Sequence, residues 1–135
     1  MEFVSDGCGL VTCLGLSLFH TSNGAYTGNI LASEDEKIKM ISRYVPIDLI
    51  DAIKEKICCI LGDRFKGRYS GVFGVDMMIL GRDDKAGFLL HPCVEINLRR
   101  TMGHVALELS KQCRSGQVMV IEYTDNHYKL RIKKT

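Results

Sequence analysis

Three polar residues share one face of an expected strand in the last third of the chain: Glu95, Asn97 and Arg99. Side chains alternate along a strand, so residues two apart project together, while Val94, Ile96 and Leu98 project to the other side and are expected to enter a core. On the preceding expected strand, Asp76 interrupts an apolar run of Phe73, Val75, Met77, Met78 and Ile79. Paired as a hairpin, the two strands bring Asp76 beside Glu95 or Asn97. Two carboxylates and a carboxamide oxygen on one face suit a hard cation. Mg²⁺ takes oxygen ligands, usually one or two carboxylates, with water and phosphate completing its shell. Arg99 extends the row by one step and is suited to hold a phosphate bidentately. Without a cation the two carboxylates repel each other, a cost that a binding site accepts. The plainer reading of the same row is a solvated polar face on a half-buried sheet, and E-x-N-x-R by itself does not choose between the two.

Positioning this row takes a hairpin and a layer behind it. Residues 67–80 (GRYSGVFGVDMMIL) read as a strand, 81–87 (GRDDKAG) as a turn and 88–98 (FLLHPCVEINL) as the return strand. Pro92 cannot donate to a ladder, so it marks a bulge or an edge. Upstream, residues 1–5 and 10–19 read as a hairpin around Asp6-Gly7-Cys8-Gly9. Residues 20–28 (HTSNGAYTG) read as a polar segment with turns at Gly24 and Gly28, either a connection or a substrate-side loop, followed by a short strand at 29–32. Ser33, with Glu36 three residues on, has the spacing of a capping box and opens a helix. Pro46 opens a second helix, in which Ile47, Ile50, Ile53, Ile57, Ile60 and Leu61 recur at helical spacing and Gly62 is expected to end it. Thr101 caps a third helix reaching about Arg114 and ended by Gly116; 118–123 and 128–133 form a last hairpin around Thr124-Asp125-Asn126. The sum is an α+β fold, a mostly antiparallel sheet with about three helices packed on it, as a single domain over residues 1–135.

Composition narrows the function classes. The chain has 135 residues, 46% of them hydrophobic and 25% charged, enough for one core and too apolar for disorder. Lys plus Arg exceed Asp plus Glu by 18 − 16 = 2, which gives no pull toward nucleic acid. The longest apolar stretch, 8–19, is too short to span a bilayer, which needs about 20 residues, so no membrane partner is expected. Met1-Glu2-Phe3 lacks the basic start of a secretory signal. The six cysteines show no C-x-x-C spacing and read as reduced, mostly buried thiols of a cytoplasmic protein. A zinc set of His91, Cys93, His104 and Cys113 fits the spacing of no common module. His104 sits either at the site or, as a core or exposed residue, away from it. No phosphate loop of the G-x-x-x-x-G-K-[ST] or G-x-G-x-x-G type occurs.

The run GVFGVDMMI…VEINLRR resembles the C-terminal part of the ATP-grasp superfamily, in particular its biotin carboxylase and carbamoyl-phosphate synthetase branches. The likeness spans residues 46–114 and is weaker over the first 45. It implies that Asp76 stands where the family's first acidic ligand stands. It implies that Glu95 and Asn97 are the Glu-x-Asn pair binding the Mg²⁺ (or Mn²⁺) that bridges the ATP phosphates. Arg99 then matches the arginine that contacts phosphate or the activated substrate. The separation of Asp76 and Glu95, 95 − 76 = 19, exceeds the family's usual hairpin, and the GRDDKAG turn with a Pro92 bulge is expected to absorb the excess.

The resemblance also implies a reaction: a small-molecule carboxylate attacks the γ-phosphate of ATP to give an acylphosphate, from which an amine or similar nucleophile displaces phosphate. ATP-grasp enzymes close over nucleotide with another subdomain that supplies a lysine and a glycine-rich loop. Neither that subdomain nor the family's further N-terminal, substrate-side domain fits within 135 residues beside the elements already assigned, so the chain is expected to be the C-terminal, metal-binding part of a longer ligase. Its partners would be the N-terminal subdomains of that protein, with homodimer formation through an exposed sheet edge as a further option, and it would show little turnover alone. The competing expectation is a non-catalytic ATP-grasp-derived domain acting as a protein-interaction module.

Overall fold

A computed structural model describes residues 1–82, 86–112 and 116–134. Its elements are β1 (Glu2–Ser5), β2 (Val11–Gly15), β3 (Phe19–Ser22), β4 (Ala25–Leu31), α1 (Glu34–Ile41), α2 (Ile47–Phe65), β5 (Gly71–Gly81), β6 (Phe88–Asn97), α3 (Met102–Ser110), β7 (Gln117–Thr124) and β8 (His127–Lys134). The fold is α+β as expected, but the strands divide into two four-stranded antiparallel sheets, ordered β2-β1-β5-β6 and β3-β4-β7-β8.

The division comes from a break in the long strand expected over 10–19. β2 stops at Gly15, and residues 16–18 carry the chain from the first sheet to the second, where Ile30 N–H donates to Leu18 O at 2.8 Å. This link is pinned from α1. Glu34 Oε1 accepts from Leu16 N–H at 2.8 Å, and the buried Lys37 donates through Nζ to Leu16 O at 2.6 Å while pairing with Glu34 Oε2 at 2.8 Å. The polar segment 20–28 then proves to be most of a hairpin, with Asn23 and Gly24 at its tip, both at positive φ as a tight two-residue turn requires. At the first turn, Asp6 Oδ1 accepts from Cys8 N–H at 2.7 Å and Leu10 N–H at 2.9 Å, which holds its carboxyl below the usual range.

The main core lies between the first sheet and helices α1 and α2. Phe3 and Phe73 are fully buried and stacked, with ring centroids 5.3 Å apart, and Val11, Val75, Ile41, Val45 and Ile50 close around them. α2 runs past its expected end to Phe65. Gly62 is buried inside it, and a Cβ there would come within 2.5 Å of Gly9 O, so its role is close helix-to-turn approach rather than capping. On the far side of the first sheet α3 packs on the second, through Leu31, Met119 and Ala106. The third helix ends at Ser110; its expected extension to Arg114 falls partly outside the described residues, as do the middle of the 81–87 turn and Cys113 of the zinc set. Among the described residues no helix is long and apolar enough to cross a membrane.

Both sequence-expected caps of α1 and α3 form. Ser33 accepts from Glu36 N–H while the Glu36 side chain accepts from Ser33 N–H at 2.9 Å. Because α1 holds the inter-sheet link, Ser33→Ala is expected to lower stability by about 1 kcal/mol, seen as a drop in thermal midpoint. An unchanged midpoint would show that the tertiary anchors carry the helix alone.

Candidate functional site

The expected hairpin of β5 and β6 forms, and its register decides the site. Asp76 lies directly opposite Glu95, and Gly74 opposite Asn97. Next along, Met78 pairs with His91, so three residues of β6, Pro92 to Val94, face Met77 alone. The proline bulge therefore exists, on an edge strand, and it shifts the register so that the two carboxylates meet. Opposite residues share a face, so Asp76, Glu95 and Asn97 project together. Asn97 Nδ2 donates to Asp76 Oδ2 at 3.3 Å, and Arg99 Nη2 donates to Asn97 Oδ1 at 2.9 Å. All four sequence-predicted site residues thus form one connected row.

One expectation fails. Val94, Ile96 and Leu98 do not enter a core; they are 49%, 39% and 51% exposed. The helical layer covers β1 and β5 and reaches the start of β6, where Leu90 packs on the core and Phe88 meets Tyr44, but it leaves the second half of β6 open.

The row lines one wall of a cleft of about 290 Å³ between the sheets. Strand alternation builds that wall: Phe73 and Val75 point to the helices, while Gly74 and Asp76 point to the cleft. One strand over, Glu2 pairs with Gly74, so Glu2, Gly74 and Asn97 lie in register across three strands. Glu2 lines the cleft too, although it is only 5% exposed. Its Oε2 accepts from Thr101 Oγ1 at 2.8 Å and lies 2.9 Å from Nδ1 of the buried His104, whose Nε2 is 3.4 Å from Phe3 O. His104 is thus a core residue behind Glu2. The other wall comes from the second sheet: Tyr26 donates its hydroxyl proton to Asn29 Oδ1, and Asn29 Nδ2 donates to Ser17 Oγ at 2.7 Å. Burial pushes the Tyr26 phenol up to about 12, so it stays a neutral donor.

Sequence reasoning missed Glu2, Ser17 and Asn29 and read Thr101 only as a helix cap, while Tyr26 lies in the 20–28 segment offered as a substrate-side loop. The signal that flagged Asp76, a carboxylate interrupting an apolar strand, is also present at Glu2 between Met1 and Phe3. Nothing comparable marks the far wall, which exists only because the chain changes sheets.

Burial first, and then the neighbouring Glu95 charge, raise the Asp76 carboxyl above its ordinary 3.8. A carboxyl whose pKa is higher in the folded state binds its proton more tightly there, so stability is lost as pH rises through that window. Asp76→Asn is therefore expected to melt above the parent protein at neutral pH. The gap should close on acidification to about pH 3, where both carry a neutral side chain. Thermal scans across that range check this, and a variant that melts lower at neutral pH would contradict it.

Among the described residues no three His, Cys, Asp or Glu side chains gather to hold a metal ion by themselves, the described members of the zinc set (His91, Cys93 and His104) included. Cys8, Cys13, Cys58, Cys59 and Cys93 are free thiols, with Cys13 and Cys58 held protonated by burial. The oxygen-only donors Asp76, Glu95 and Asn97 do fit a hard divalent cation. The Asn97 carboxamide turns its nitrogen to Asp76 and its oxygen to Arg99, so serving as a ligand on the Asp76 side requires it to turn over and release Arg99. Compared with known proteins, the chain matches no family model, no curated protein and no solved structure.

Proposed function

We propose that this chain is the metal- and phosphate-binding part of an ATP-dependent ligase of the ATP-grasp type, joining a small-molecule carboxylate to an amine or similar nucleophile. The observation that supports it is the register of β5 and β6, which sets Asp76 against Glu95 and links Asn97 and Arg99 to them at the cleft wall. Asp76, Glu95 and Asn97 would hold Mg²⁺ or Mn²⁺, which when bound neutralises charge on the ATP phosphates. Arg99, released as Asn97 turns, presents its guanidinium fork to a phosphoryl or acylphosphate oxygen.

The exposed row Val94, Ile96 and Leu98 on an edge strand favours a covering partner. In this reading it is the nucleotide-closing subdomain of the same protein, which would reside in the cytoplasm. The same row also favours the second reading, an interaction module, in which the covering partner is another protein.

The test is a Mn²⁺ titration with ATP, followed by paramagnetic broadening in NMR spectra. Broadening centred on Asp76, Glu95 and Asn97 and dependent on ATP supports the ligase reading. Broadening elsewhere, or none at saturating ATP, overturns it.

A further inference from the structure

We infer that Glu2 is the anchor of an amine-binding subsite in the floor of the cleft, receiving the ammonium group of a primary-amine substrate. The identification of that amine as the ligation nucleophile rests on the proposed ligase reading; the binding site itself does not.

The starting point is a carboxylate that is 5% exposed and only half used. Thr101 Oγ1 donates to Oε2 at 2.8 Å, and His104 Nδ1, which accepts from Thr101 N–H, lies 2.9 Å from the same oxygen. For Oε1 the structure shows no hydrogen-bond partner among the described residues. Glu2 Oε1 is not sealed from the cleft, so its remaining bonds go to water or to a ligand entering there. That oxygen is aimed at the cleft floor. A Cβ added to Gly103 would collide with Glu2 Oε1, and Ser17 Oγ lies 2.6 Å from the same point. Glycine at this position therefore lets Glu2 Oε1 pack against the helix backbone with Ser17 Oγ close by, at the cleft that all three residues line. Ser17 Oγ accepts one bond from Asn29 and has a second lone pair to offer.

The chemistry of the surroundings selects a cation. Glu2, Asp76 and Glu95 line the cleft, against Arg99 among its described lining residues and the buried Met1 ammonium, which donates to Val75 O at 2.9 Å and acts on Glu2 and Asp76. With a divalent ion on Asp76 and Glu95, Glu2 is the carboxylate left over. Phe19 and Tyr26 line the same cleft, with ring centroids 6.4 Å apart, and aromatic faces attract a cation and shelter the carbon chain beside it. An ammonium has three donors, which Glu2 Oε1 and Ser17 Oγ begin to satisfy. A carboxylate or phosphate at the same spot would meet Glu2 with like charge.

The experiment titrates the chain with benzylammonium and, separately, with neutral benzyl alcohol of nearly the same shape, following backbone amide shifts. Benzylammonium is expected to shift Glu2, Ser17 and Gly103 saturably and to bind about tenfold more tightly than the alcohol, the factor for one well-placed charge contact. Glu2→Gln should erase that preference. Phe19→Ala, at a 40% exposed position that leaves the core intact, should weaken the ammonium several-fold. Equal binding of the two probes to the unaltered chain, or shifts remote from Glu2, overturns the inference even if Glu2→Gln fails to fold. ATP-dependent Mn²⁺ broadening without an amine preference sinks the subsite alone; an amine preference without Mn²⁺ broadening keeps the subsite and sinks the ligase reading.

Discussion

Replacing Glu95 by Gln and Asn97 by Ala together is expected to weaken Mn²⁺–ATP binding by about a hundredfold or more, and to leave the fold intact. The size follows from what is removed. Outer-sphere partners of a metal site already cost tenfold to a hundredfold when lost, and these two residues are proposed as direct ligands. The pair also carries the electrostatics. Glu95 is exposed on an edge strand, so its loss empties no core. Asn97 bridges Asp76 to Arg99, so its loss separates the remaining carboxylate from the guanidinium. Calorimetric titration with Mn²⁺–ATP measures the loss, and thermal melting checks that the protein remains folded. A folded double variant that still binds the nucleotide as the parent does would refute the ligase reading. The same variant tests the alternative: an interaction module reading its partner through the exposed Val94, Ile96 and Leu98 row should be indifferent to both substitutions.

How far the residues alone foretold this site depends on the range of the interactions involved. The hairpin of β5 and β6 was legible because period-two alternation and a proline are local signals, and they placed Asp76, Glu95, Asn97 and Arg99 together before any tertiary contact was known. The Ser33–Glu36 capping box and the Thr101 cap were legible for the same reason, whereas the part His104 plays in the second cap was not. The division into two sheets was not. It depends on Leu16 being tied to Glu34 and Lys37, contacts 18 and 21 residues apart in the chain that no strand propensity encodes. With the division came the whole far wall of the cleft: Tyr26 and Asn29 lie on a strand pairing with β7, roughly ninety residues later. The error over Val94, Ile96 and Leu98 has a related cause. Alternation shows that two faces differ, but which face is covered depends on how far the helical layer extends across the sheet, and it stops short of the second half of β6.

Phe73→Ala is expected to produce the largest loss of stability of any single substitution considered, about 3–5 kcal/mol, against a total of roughly 5–15 kcal/mol for a domain of this kind. Phe73 is fully buried, stacks on Phe3, and takes Phe65 edge-on at 5.1 Å, so truncation removes contacts on several sides at once and leaves a cavity framed by elements that cannot readily collapse. The thermal midpoint should fall by roughly 10–20 °C. The consequence for the site follows from strand alternation. Phe73 and Asp76 belong to one strand but face opposite sides of it, Phe73 to the helices and Asp76 to the cleft. Below its lowered midpoint, folded Phe73→Ala should therefore bind Mn²⁺–ATP with affinity close to the parent's, and lose binding only as it unfolds. The Glu95 and Asn97 double variant should do the reverse, melting normally and binding poorly. If Phe73→Ala weakened binding while fully folded, the two faces of β5 would be mechanically coupled, and the site would depend on core packing as well as on its own polar row.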